Sequence, residues 1–380
     1  MDFVLNDEQR SLQAKAAELV KRAADRDPHK MFAEAGWLSL MVPERAGGSG
    51  FGIAEMALVL EQAGRGLMTG PLTACSVSAY AIGIGRAATV REKTLEELVA
   101  GSRLIVPALQ DPAAPEEAQE RITAMPFHYG YQLSGGRSRV PFAADADAFL
   151  IDARTSDGSI MLIIPSDIHG VDISETESAD DTRYGTVNFS DASMMSDEWL
   201  IAGARQGATL TAASYDRLLL GTSAEMLGVM EGALAYVEEQ EASRQANDSL
   251  QALQQQAAND RSEIERLRSR LYEVCTAFDT KRGTRSMVAE IKAQASELVL
   301  RITKSVVQIQ EASGVANKAR AGLFLKRAMA LSVSYGDATL HRKRHAALLE
   351  SETAAATGGA GTRRKRPRRK KSIFAKAVSR

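Results

Sequence analysis

Leu104-Ile105-Val106-Pro107-Ala108-Leu109 is where the hydrophobic period of this chain changes, and the change decides the class of fold. Upstream, Leu12, Ala16, Leu19, Val20 and Ala23 recur at helical spacing across 7–25, behind Asn6 or Asp7 as the capping residue. Further helices are expected over 30–40, 53–64, 74–86 and 92–100, with a turn-rich loop over 42–52. Across 104–201, short β-forming runs alternate with turns: 104–109, 128–133, 148–152, 160–164 and 185–189. Ser134-Gly135-Gly136 and Ser156-Asp157-Gly158 are the turn signals between them. After Gly203 the helical period returns, in segments 208–244, 249–279, 284–313 and 320–348. This order predicts an α+β chain with four parts. They are an N-terminal helical domain over 1–103, a middle antiparallel β-barrel or sheet over 104–202, a C-terminal four-helix bundle over 203–349, and a flexible linker with a basic disordered tail over 350–380.

With 44% hydrophobic and 25% charged residues in 380, the chain can bury two or three packed layers as an ordinary globular protein. Cys75 and Cys275 are too few for a disulfide framework or a metal cluster, so a reducing cytoplasm is expected. The first residues carry Asp2, Asp7 and Glu8 and no cationic leader, so no signal peptide is expected. No apolar run is read as reaching the roughly 18–20 residues a bilayer needs. His341 and His345 stand at i, i+4, but beside Arg342-Lys343-Arg344 they read as a cationic helix end, and no metal site is expected. No P-loop and no Gly-rich Rossmann turn is found. The Gln- and Arg-rich stretch 238–268 sustains no a/d heptad, so a helix pair of the bundle explains it better than a coiled coil.

The net charge of -1 hides an asymmetry: residues 363–380 hold ten Lys/Arg and no acid, leaving about -11 on the rest. Residues 351–362 read as a low-complexity linker. The run Arg363-Arg364-Lys365-Arg366-Pro367-Arg368-Arg369-Lys370-Lys371 has the charge to meet nucleic acid or an anionic membrane, or to remain simply solvated.

Several local strings, in order, resemble the acyl-CoA dehydrogenase family across about 1–349. Gly36-Trp37 through Pro43-Glu44, then Gly47-Gly48, Gly50 and Gly52, resembles its G-W-x-x-x-x-x-P-E…G-G-x-G-x-G segment. Glu61-Gln62-Ala63-Gly64-Arg65 matches E-x-x-G-R, and Gln110-Asp111-Pro112 stands where the family has x-E-P. Ser249-Leu250-Gln251-Ala252-Leu253-Gln254 resembles S-F-Q-A-L-Q. Lys326-Arg327 and Tyr335-Gly336-Asp337-Ala338 resemble strings of the bacterial branch that handles bulky acyl groups. The resemblance implies α,β-dehydrogenation of an acyl-CoA thioester: a carboxylate takes the α-proton while a β-hydride passes to FAD. It also implies an electron-transfer flavoprotein or similar acceptor, and a homo- or hetero-oligomer with FAD at the subunit interface. The alternative is a non-catalytic structural or regulatory subunit that pairs with an active paralogue.

The same resemblance assigns the site. The family base lies in a Y-E-G-T-like string that falls here on Tyr335 or Gly336, neither of them acidic, or in an E-R pair that Asp216-Arg217 resembles locally. Counting back from Gly228 puts that second position at Leu218, so Asp216 stands both as candidate base and as a surface or ion-paired residue. Asp337 reads as the N-cap of the helix after it. Cofactor contacts are carried over to Arg244, Gln308 and Gly314, the last two from the motif Q-x-x-G-G-x-G against the FAD pyrophosphate. Its glycine pair is Glu311-Ala312 here, adding a carboxylate and a Cβ where the backbone should approach phosphate closely. The damage falls on the half-site lent to a neighbour, which fits a heteromeric partner and weakened or shared FAD binding.

Overall fold

The computed structural model describes residues 5–22, 26–86, 89–112, 121–241, 248–312 and 319–358. Five helices come first: α1 (Asp7–Lys21), α2 (Pro28–Glu34), α3 (Ile53–Arg65), α4 (Leu72–Ile84) and α5 (Thr89–Val99). Asn6 caps α1 by accepting from the Gln9 amide at 2.8 Å, while the Gln9 side chain accepts from the Asn6 amide at 3.1 Å. The α2 segment stops short of the expected 40, because Gly36 turns left-handed at φ 74° and two short 3₁₀ turns follow.

Eight strands follow: β1 (Ile105–Ala108), β2 (Thr123–Phe127), β3 (Gly130–Pro141), β4 (Ala148–Thr155), β5 (Gly158–Pro165), β6 (Val171–Thr176), β7 (Tyr184–Met194) and β8 (Leu200–Ala202). They form one sheet in the order β6-β7-β3-β2-β4-β5-β8, with β1 beside β4. The sheet is mixed rather than antiparallel. The β1 strand runs parallel to β4, and β2 meets β4 in parallel at Thr123 and Arg154. The chain leaves β1, makes the β2–β3 hairpin and only then lays β4 down, so β1 and β4 point the same way. Three strands escaped the pattern: β2 contains Pro126, β6 is largely exposed, and β8 has three residues. His128, expected in a strand, sits in the hairpin turn at φ 52°.

On β4, Leu150 faces the helical core while Phe149 and Ile151 face a second core within the sheet. Burial on both faces explains why β4 and β5 read as almost unbroken apolar runs.

The remaining helices are α6 (Gly207–Glu241), α7 (Asp248–Asp279), α8 (Arg285–Ala312), α9 (Ala319–Val333) and α10 (Ala338–Gly358). The expected 320–348 helix is broken at 334–337, and α10 continues through residues 351–358 where a linker is expected; the alanines there favour helix. The basic tail lies outside the described residues. Contrary to expectation, one stretch of α6 has the length and hydropathy of a membrane span, but 94% of it is buried inside the protein, so it is a core helix. Its contact with α3 is backbone on backbone: a Cβ on Gly228 would lie 1.9 Å from the Glu61 carbonyl oxygen, and one on Gly64 2.1 Å from that of Glu225. The start of α3 is capped from α7, where Asp279 accepts from the amides of Ile53 and Ala54 at 3.0 Å each.

Gly228→Ala is therefore expected to destabilise the protein by about 1–3 kcal/mol, because neither backbone can yield. Urea unfolding checks this, and an unchanged midpoint would contradict the close contact.

Candidate active site

Between α9 and α10 the chain turns through Ser334-Tyr335-Gly336-Asp337, with Tyr335 at φ 57° and Gly336 at φ 106°. Two successive left-handed residues reverse the helix direction, and Asp337 then caps α10 by accepting from the Leu340 amide at 2.8 Å. The Tyr335 carbonyl accepts from the Tyr215 hydroxyl at 3.0 Å and from His341 Nε2 at 2.9 Å, so the proton sits on Nε2. Ser334 donates to the Ala330 carbonyl and meets the Tyr184 hydroxyl from the sheet. Every residue of the turn is held.

This turn is where the resemblance put the base, and no carboxylate points from 335 or 336. A Cβ at Gly336 would lie 2.6 Å from Leu340 Cδ2 and 2.9 Å from His341 Nε2, in a backbone region that side chains rarely adopt. A side chain there would be strained by the backbone and would have to displace the ends of Leu340 and His341.

Under the turn lies a cavity of about 30 Å³, bounded by Tyr184, Thr222, Glu225, Arg327, Ser334 and Tyr335. That is room for one or two waters, not for an aromatic ring. Arg327 fills its floor: one Nη reaches Asp180 at 2.6 Å, the other Glu225 at 2.9 Å, and Thr73 donates to the free oxygen of Glu225. Burial pushes the Glu225 carboxyl up, with Arg327 opposing. Glu225 was not singled out from the sequence, although it lies seven residues beyond Leu218, two helical turns along one face.

Asp216 lies in a separate cluster. Its Oδ1 accepts from Arg344 at 2.8 Å and its Oδ2 from Arg285 at 3.2 Å, and it is 1% exposed. Arg344 also stands over the Tyr215 ring, 5.2 Å from its centroid, and 3.6 Å from Asp111. Burial raises the Asp216 carboxyl, against the pull of Arg344 and Arg285. Both oxygens are committed to cations, so of its two readings the geometry matches the ion-paired one. Leu218 is fully buried. A roomier cavity, about 310 Å³, opens at the end of β1 beside Gln110, Asp111, Arg137, Asp152 and Thr211, at the small end of ligand-site volumes.

Of the cofactor contacts, Arg244 and Gly314 lie outside the described residues. Gln308 is exposed on α8, and Glu311, three residues on and so on the same face, is exposed with it. Gln310 turns inward and donates to the Tyr236 hydroxyl at 3.0 Å. Because α8 runs unbroken to Ala312, no glycine turn is formed at 311–312. The described residues therefore fit a pyrophosphate poorly: one carboxamide, one carboxylate beside it, and helix where a close backbone approach is required. No group of His, Cys, Asp and Glu among the described residues can hold a metal ion.

Residues 7–102 match the description "Acyl-CoA dehydrogenase, N-terminal domain" and residues 206–349 "Acyl-CoA dehydrogenase, C-terminal domain". The chain is 28% identical over 250 residues to acyl-CoA dehydrogenase FadE27 of Mycobacterium tuberculosis, covering 64% of each chain. It is 28% identical over 193 residues to benzylmalonyl-CoA dehydrogenase of Aromatoleum aromaticum, covering 46% of this chain and 51% of that one. The chain thus spans less than two thirds of the length of either relative. Its fold is that of the ChsE4-ChsE5 complex from Mycobacterium tuberculosis, with TM-score 0.81 at 22% identity over 93% of this chain and 99% of that one.

Asp216→Asn is expected to cost up to about 3 kcal/mol, since it leaves the buried Arg344 with only the longer pair to Asp111; chemical unfolding measures it. His341 generates a pH dependence. Burial, then the charges of Lys292 and Arg344, hold its pKa down at about 3. Between about 6.5 and 3 the unfolded chain takes a proton that the folded chain refuses, so stability falls as pH falls through that window. From pH 6.5 to 5 the wild type should lose about 2 kcal/mol more than His341→Gln. Equal losses would place the proton elsewhere.

Proposed function

Because the chain belongs to the acyl-CoA dehydrogenase family, we propose that it is one subunit of an FAD-dependent enzyme that oxidises the Cα–Cβ bond of an acyl-CoA thioester. The observation that carries the shared-site reading is the turn at Tyr335-Gly336, where neither candidate base position holds an acid. Asp216, paired on both oxygens, does not replace it. The pyrophosphate contacts are reduced on the face this chain would lend its neighbour. A partner subunit that supplies the carboxylate and the glycine turn accounts for both together. The acyl group then rests mainly against the partner, since a bulky acyl chain has no room in a 30 Å³ cavity.

On this reading the chain's own residues exclude water and set the walls. Arg327, Glu225 and Asp180 seal the cavity floor, and Tyr335 is held by Tyr215 and His341. Electrons leave through an electron-transfer flavoprotein or similar acceptor. A cytoplasmic place is supported by Cys75 and Cys275, both free and buried. The second reading, a structural subunit that takes no part in the chemistry, is favoured by the same turn. The two differ in whether cavity residues matter to turnover.

The chain purified alone, incubated with FAD and then freed of unbound flavin, should lack the flavin band near about 450 nm, and should gain it with acyl-CoA oxidation when co-produced with a dehydrogenase paralogue. Activity of the chain alone would remove the need for a partner. In the active complex, Arg327→Met should lower kcat/KM by about tenfold or more, whereas unchanged kinetics would favour the structural subunit.

A further inference from the structure

Lys292 is fully buried in the middle of α8, a place where lysine is almost never found without partners. Its Nζ lies 2.9 Å from Ser296 Oγ, 3.3 Å from the carbonyl oxygens of Leu331 and Ser332, and 3.2 Å from that of Gly336. Leu331 and Ser332 end α9, where carbonyls have no partner within the helix and the helix dipole is negative. Gly336 belongs to the turn. One ammonium thus ties α8 to the last turn of α9 and to the backbone next to Tyr335.

We propose that Lys292 is a positioning residue, whose ammonium holds the 334–337 turn, and with it Tyr335, in the arrangement that the acyl group meets. The inference rests on the enzyme reading above only for that last clause; the hold itself is independent of it.

The hold depends on protonation. An ammonium has three N–H donors for the four oxygens around it, and a neutral amine has two and a lone pair facing carbonyls. Of the ionisable groups that face it, Asp337 in the turn favours the charged form, while His341 on α10 stays neutral at ordinary pH. From α6, Met226 packs against Ser296, and α9 contributes its carbonyls. Burial lowers the Lys292 pKa to about 7, with Asp337 opposing. The turn should therefore loosen as pH rises past neutrality.

The test uses the full chain in its complex with the partner subunit. Amide exchange of residues 332–337 is measured at pH 6 and pH 8.5 and corrected for intrinsic rates. The expected result is a loss of protection of about tenfold or more in the wild type at the higher pH, and none in Lys292→Arg, which stays charged. Lys292→Met should show low protection at both pH values. Kinetics with phenylpropionyl-CoA as probe should show KM rising over the same pH interval more than kcat changes, and less so in Lys292→Arg. Protection that is the same at both pH values in the wild type overturns the proposal, and that comparison stands even if Lys292→Met fails to fold. A wild type that loses protection as expected but oxidises no acyl-CoA overturns the enzyme reading and leaves the hold of Lys292 in place.

Discussion

A helix buried along nearly its whole length can bury a carboxylate only where another element brings a cation to it, and α6 buries three. Asp216, Glu225 and Glu231 are 1%, 4% and 7% exposed. Their arginines come from four different helices: Arg285 from α8 and Arg344 from α10 to Asp216, Arg327 from α9 to Glu225, and Arg268 from α7 to Glu231. Each pair contributes little net stability over an apolar substitute, but removing either partner leaves a buried charge. The pairs therefore act on arrangement: they admit one register of α7, α8, α9 and α10 around α6. The glycines on α6 add to this by letting α3 approach to backbone contact.

That constraint reaches the candidate site directly. Seating Arg327 between Glu225 and Asp180 fixes α9 against both α6 and the loop before β7, and the turn after α9 is then short enough to require left-handed backbone at Tyr335 and Gly336. The acids nearest the cavity are neutralised by the same arginines that order the bundle. A free carboxylate for proton abstraction would have to lie outside this pairing scheme, and the one acid of the turn, Asp337, caps α10.

The helical frame was legible because periodicity over a dozen or more residues averages out local exceptions, and α3, α6 and α8 show it. The capping role of Asp337 was legible too, since it needs only its neighbours in sequence. The mixed sheet was not: whether β1 lies parallel or antiparallel to β4 is settled by the route of the intervening hairpin, which leaves no mark on either strand's pattern. The break at 334–337 was only half legible: the cap at Asp337 implied a new helix, the helical period ran on across it, and the two positive φ angles show the reversal. Lys292 and Glu225 were passed over for a common reason. A single charged residue in a helical run reads as solvated until its burial is known, and burial depends on helices far away in sequence.

On the proposed reading this chain lacks both a base and a phosphate-binding turn, and either lack alone would disable a subunit that worked by itself. The two are connected on that reading by where FAD lies, between two chains. A site completed across an interface needs one acid and one glycine turn, and a partner holding both relieves this chain of each requirement independently. What this chain must still provide is a wall of fixed shape, and its buried groups are spent on that: a lysine on three carbonyls, a histidine kept neutral, an arginine between two acids. Position 336 shows the exchange most plainly. Its left-handed backbone carries no side chain, and its carbonyl accepts from Lys292, which suits a subunit that positions rather than reacts.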